Sequence, residues 1–220
     1  MIRRAAIALV AIGLVAGSSN VLLAQGKQAA PKTTPIKISG TVEQVVALGI
    51  LVKQADGKMV AMQFPPSAKV TMAGNGSPDI LKPGMFVQFT VNLDEKGKPS
   101  GEATKVQITE QSNINVPGIT SEKGPDAKPG EPGPYFVRGT VKSYREGSLV
   151  VSAGSKSLTV PLGAGASIPV TVGDWSLASP GDTISGDAQA LPANPQFTPC
   201  MAERIEIKAI QPITGKKKKR

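Results

Sequence analysis

Ile38-Ser39-Gly40-Thr41-Val42 returns 99 positions later as Val137-Arg138-Gly139-Thr140-Val141, and the reading of this pair decides the fold. The same offset lays Ile50-Leu51-Val52 over Leu149-Val150-Val151. It also lays Ala103-Thr104-Lys105-Val106-Gln107-Ile108 over Ala202-Glu203-Arg204-Ile205-Glu206-Ile207. Between them Lys82-Pro83-Gly84 matches Ser179-Pro180-Gly181 at an offset of 97, so small changes of loop length cancel. A register that agrees at both ends of a unit marks an internal repeat, here two copies of about 75 residues.

Each copy reads as β-structure. In the first, 36–46 and 48–54 are rich in Val, Ile and Leu, and Asp56-Gly57 signals a turn before 58–64. Pro65-Pro66 ends that strand, and a short run follows at 68–72. After the Pro83-Gly84 turn, Met85, Val87, Phe89, Val91 and Leu93 alternate with Phe86, Gln88, Thr90 and Asn92, the mark of a strand with one buried face. A last strand is expected at 102–109. The second copy predicts strands near 135–145, 148–153, 156–162, 181–190 and 201–209. Five or six short antiparallel strands in so few residues close most economically as a small barrel, because a flat sheet would leave its edges unpaired. Gly40 and Gly139, in the same register of the two copies, are expected to sit at a bulge or a barrel corner.

The opening G-T-V, the strand pair, the P-G turn into an alternating strand and the closing A-x-[KR]-[VI]-x-I together resemble a group of bacterial extracytoplasmic β-barrel domains of unknown function that are OB-like. The resemblance covers about 35–110 and 134–210. It implies an all-β fold of two small OB-like antiparallel β-barrels in tandem and carries over no catalytic residue. Neither copy has a clear helix between its third and fourth strands, unlike a typical OB-fold.

Outside the copies the composition changes. Residues 111–133 are crowded with Pro and Gly and read as a linker. Residues 1–24 read as a signal peptide forming a signal helix: Arg3 and Arg4 precede the apolar run 5–16, and a second apolar patch ends at Ala24. Cleavage is expected after Ala24, with Gly17 the alternative site and an uncleaved anchor the rival. Residues 25–34 read as a flexible segment and 211–220 as a basic disordered tail. The chain is therefore expected to be exported, periplasmic or secreted.

Charge and chemistry narrow the function. The net charge of +9 divides unevenly: setting aside Arg3, Arg4 and the five cations of 216–220 leaves 18 of the 25 basic residues against 16 acidic ones. The body is nearly neutral and the basicity belongs to the ends. The chain has no His and one Cys. The commonest general base is thus missing, and neither an internal disulfide nor a thiolate zinc cluster can form. No calcium-loop spacing and no triad are visible, so no enzyme, no metal and no cofactor is expected.

The expected function is an exported, non-enzymatic binding or structural module, with an unknown protein or envelope polymer as partner, acting as a monomer. The alternative is binding of nucleic acid or another anionic polymer through an OB-like face and the tail, nucleic acid being the less expected. The candidate face is Phe136, Arg138, Thr140, Lys142 and Tyr144, which share one side of a regular strand and combine stacking with charge. Trp175 is a candidate contact aromatic, with capping of a barrel end the plainer role. Phe86 is expected between the two barrels, and Cys200 is expected either buried or paired with another chain. Lys216, Lys217, Lys218, Lys219 and Arg220 are expected to give weak contact with an anionic surface.

Overall fold

The computed structural model describes residues 33–124, 131–192 and 197–215. The expected signal peptide and the cations of 216–220 lie outside them. The described residues form strands joined by turns, with two single 3-10 turns at Pro78–Ile80 and Trp175–Leu177 and no α-helix. Each 3-10 turn lies just before a P-G turn and the strand that follows it.

In the first half the strands are β1 (Thr34–Val46), β2 (Gly49–Gln54), β3 (Met59–Gln63), β4 (Lys69–Asn75), β5 (Phe86–Leu93), β6 (Ala103–Lys105) and β7 (Gln107–Thr109). The second half gives β8 (Gly118–Ser121), β9 (Gly133–Arg145), β10 (Ser148–Ala153), β11 (Lys156–Ser167), β12 (Pro169–Val172), β13 (Thr183–Ala190) and β14 (Thr198–Lys208). Turn chemistry sets the hairpins. Gly57, at φ 82°, turns β2 into β3, and the amide of Gly57 donates to the Gln54 carbonyl.

A five-strand barrel closes in the order β13–β1–β2–β3–β14, with β14 returning to β13. Three of its strands come from the first copy and two from the second. The remaining strands make the reciprocal pairings: β5–β9, β9–β10, β10–β11 and β11–β6, with β7 back on β5. Only Val106 separates β6 from β7, and it is fully buried. The copies therefore exchange their last two strands. The expectation that each 75-residue copy closes on itself is replaced by a barrel that neither copy builds alone.

The hinge of the exchange is the antiparallel pair β4–β12, with Ala73 opposite Thr171. The neighbouring pairs Gly74–Val170 and Met72–Val172 exchange into one another at an offset of 98, so Ala73–Thr171 marks a local two-fold relation. Apolar side chains from both copies meet in one cluster. Ile38, Val52, Met62, Ile184, Ile205 and Ile207 fill the closed barrel, and Met72, Ile168 and Val170 carry the cluster on to Val87, Ile108, Val137 and Leu149. Burial of apolar surface, at about 25 cal/mol per Å², is the main force holding these pieces together.

The repeated glycines act differently from the expectation. The register slip lies three residues further on, at Glu43 and at Lys142, which are again 99 apart. Gly40 and Gly139 themselves allow close approach: a Cβ there would overlap the carbonyl oxygen of Lys53 or of Ser152, respectively.

Two segments outside the expected copies are built into the fold. The linker contains β8, which pairs with β9 from Gly118↔Arg138 to Ser121↔Tyr135. In the tail, Ile213 is buried, and its amide donates to the Asn75 carbonyl while its carbonyl accepts from Ser77.

Candidate binding face

The expected face on β9 divides at the bulge. Up to Thr140 the two-residue alternation is kept, so Phe136, Arg138 and Thr140 share a side, half-buried. The extra residue at Lys142 shifts the register, and Tyr144 turns to pack against the core instead. Lys142 is exposed. Tyr144 thus leaves the candidate face, and what remains is Phe136 with Arg138.

These two side chains are held together. The Arg138 guanidinium carbon lies 5.3 Å from the centre of the Phe136 ring, a cation–π distance. Its Nη1 donates to the Ile114 carbonyl at 3.2 Å, so the loop after β7 fixes the guanidinium from one side. Its Nε is buried and has no hydrogen-bond partner among the described residues. Beside Phe136 the outer surfaces of β5, β6 and β7 form an open groove of about 300 Å³, lined among others by Thr90, Thr104, Lys105 and Gln107. The Gln88 amide donates to Gln107 at 3.0 Å, and the Thr90 hydroxyl donates to Glu122 at 2.7 Å. Around the groove stand one aromatic face, one ammonium, neutral amides and the Glu122 carboxylate on Thr90, with the Arg138 guanidinium beside Phe136, a set suited to holding an extended polar or anionic chain by stacking and charge.

Trp175 lies in the 3-10 turn Trp175–Leu177. Its ring stacks on Phe64, at 4.9 Å between centres and 12° between planes, and packs against the core. Asp174 caps the 3-10 turn by accepting from the Ser176 amide at 2.9 Å. Phe86 is buried but lies outside the main cluster. Cys200 is fully buried, and loss of water around the thiol pushes its pKa up to about 11. A neutral, enclosed thiol is no site for pairing with another chain.

Asp182 went unnoticed in the sequence. It is 1% exposed, the one charged side chain buried to that degree among the described residues. One carboxylate oxygen accepts from the Ser179 amide at 2.7 Å and the other from the Ile210 amide at 3.1 Å. Both oxygens are taken by backbone, so the carboxylate ties the second P-G turn to the end of β14. Its one sequence signal was its place directly after Pro180-Gly181. Among the described residues no three Cys, Asp or Glu side chains gather as a metal site would need, and no helix is long and apolar enough to cross a membrane.

Comparison with protein-family models, with curated proteins and with solved structures gave no match. The function therefore rests on the geometry.

Proposed function

We propose that the chain is an exported, non-enzymatic binding module built from two OB-like barrels that have exchanged strands. The observation that supports this most is the open groove lined by Phe136, whose ring is in cation–π contact with Arg138, itself fixed by a hydrogen bond to the Ile114 carbonyl. Pre-set side chains of this kind bind with little loss of conformational freedom. The titratable groups, by contrast, are dispersed over the surface, and the buried carboxylate of Asp182 is already satisfied by backbone. The repeat and its P-G turns resemble extracytoplasmic bacterial domains, which agrees with an apolar, Arg-led N-terminus and a periplasmic or secreted location.

Phe136, Arg138 and Lys105 favour an anionic polymer over a neutral ligand, with Lys216, Lys217, Lys218, Lys219 and Arg220 adding weak attachment to anionic surfaces. Capture from envelope extract, competed with a soluble polyanion, tests the reading. Anionic-polymer binding should fade steeply with salt, and Arg138→Ala should weaken it about tenfold, the loss of about 1.4 kcal/mol. Salt-insensitive capture of one protein, unaffected by Arg138→Ala, would instead favour a protein partner at another surface. Deleting 216–220 should abolish cosedimentation with anionic vesicles at low salt and leave the melting temperature unchanged.

A further inference from the structure

The two copies differ at one edge. In the second copy the N-terminal half of β9 lies between two strands, β5 on one side and β8 on the other. In the first copy the matching half of β1 pairs with β13 on one side, and β2 joins on the other only from Gly40 onward. Among the described residues no strand pairs with the outer edge of 35–39.

The direction of the unpaired groups follows from the repeat. The Glu122 amide donates to the Pro134 carbonyl at 3.0 Å, so Pro134, Phe136 and Arg138 direct their backbone groups toward β8. At an offset of 99 these are Pro35, Lys37 and Ser39. The alternation agrees from the other end: Val42, which is of opposite parity, accepts from Gly181 and donates to Asp182 on the β13 side. The open edge therefore presents the Pro35 carbonyl and the amides and carbonyls of Lys37 and Ser39. Proline at its start does not close it, because Pro134 holds the same place beside an occupied edge.

In the second copy the Pro117 carbonyl, just before β8, runs alongside Gly154 in the β10–β11 turn. In the first copy the open groove of about 530 Å³ near Ala55 reaches from β2 across Ser39 and Thr41 to Ser185, Glu206 and Lys208 of β13 and β14, so it lies on the outer face of the sheet and meets the open edge only at Ser39. Lys37 forms an exposed ion pair with Asp187, its partner on β13, at 2.5 Å.

We infer that the outer edge of β1 at 35–39 is a docking site for an extended segment of another polypeptide, which adds as an antiparallel strand in the way β8 adds to β9. Backbone hydrogen bonds supply the affinity, and the residue opposite Ile38 is apolar, as Ile119 is opposite Val137. The chain's own equivalent of β8 would be Ser19-Asn20-Val21-Leu22, which falls within the segment expected to be removed on export. This goes beyond the groove beside β9 and stands or falls separately: polyanion binding reads Arg138, whereas this edge is read by amide exchange.

The test uses the protein recovered from the periplasm of an expression host, so that processing of its N-terminus has taken place. The probe is a capped synthetic peptide of residues 116–123, the chain's own example of a docked strand. At saturation, hydrogen exchange at the Lys37 and Ser39 amides should slow at least about tenfold, with Ile36 and Ile38 unchanged because they already bond to β13. A peptide carrying Thr120→Pro, which lacks the central donor, should give no protection. Lys37→Pro in the protein should lose binding while keeping its melting transition, since an edge N–H that faces solvent is dispensable to the sheet. Unchanged exchange at Lys37 and Ser39 up to millimolar peptide, or equal binding by the Thr120→Pro peptide, would overturn the inference. So would slow exchange in the free protein: independent of protein concentration, it would assign the edge to the chain's own segment, and dependent on it, to a second copy.

Discussion

The amide of Gly84 donates to the carbonyl of Val141 at 2.9 Å, and the amide of Gly181 donates to the carbonyl of Val42 at 2.8 Å. Each P-G turn is thus fastened to the first strand of the other copy. The returning bonds match: Val141 donates to Met85 and Val42 donates to Asp182, both at 2.8 Å. These four bonds start β5 on β9 and β13 on β1, so the exchange of strands begins at the turns.

The exchange predicts the behaviour of the separated halves. A chain cut within 125–130 should stay together through gel filtration and melt in one transition, because β13 and β14 are needed by β1–β3. Fragments 33–124 and 131–215, refolded apart, should not melt cooperatively, and mixing them should restore the transition. Two monomeric fragments, each folding cooperatively, would contradict the exchange.

Gly40→Ala and Gly139→Ala should each destabilise the protein by about 1–3 kcal/mol, the usual range for forcing extra atoms into a packed site. The added methyl meets the backbone of the neighbouring strand, which cannot move aside as a side-chain tip would. Gly118→Ala, where nothing lies within 4 Å, is the control and should be nearly neutral. Denaturant unfolding of the three variants measures the differences.

Asp182→Ala should cost about 1–3 kcal/mol, since the Ser179 and Ile210 amides lose their acceptor in a buried place. Asp182→Asn keeps one acceptor oxygen and should cost less. The comparison of the two by chemical denaturation separates the lost acceptors from the lost charge.

Cys200 should resist thiol reagents at pH 8 and react only as fast as the protein unfolds. Its pKa is raised in the folded state, from 9.0 to about 11, so the folded chain holds this proton more tightly than the unfolded chain. The associated stability is complete below the unfolded value and falls as pH rises from about 9 toward 11. Cys200→Ala should remove that part of the alkaline loss, as read from melting temperatures across this range.

Much of the local structure was legible because it depends on short-range periodicity. The alternation of Val87, Phe89, Val91 and Leu93 placed β5 and its buried face, and the clusters around Gly57 and Gly84 placed their turns. β8 was not legible: Gly118–Ser121 holds one large apolar residue and follows a proline, and its strand geometry comes from the edge of β9. β12 was missed for the same reason, its partners β4 and β7 being distant in sequence. At the candidate face, Phe136 and Arg138 were grouped correctly because nothing interrupts the alternation between them. Tyr144 was not, because the bulge at Lys142 is a property of pairing with β10 and leaves no mark in composition.

The amino-acid sequence by itself pointed to β-structure in two matching copies, to the buried side of β5 and of β9 up to its bulge, and to the turns at Gly57 and Gly84. These follow from residue type, spacing and repetition, and each acts over a few positions. Tertiary structure alone decided which copy completes which set of strands, that the stretch between the copies supplies a strand, and that Ile213 is buried rather than loose. The physical reason lies in the repeat: β5 and β13 carry the same inward pattern, so either could satisfy β1 or β9 locally. The choice is made by long-range pairing, through Gly84 with Val141, Gly181 with Val42, and the β4–β12 hinge at Ala73 and Thr171.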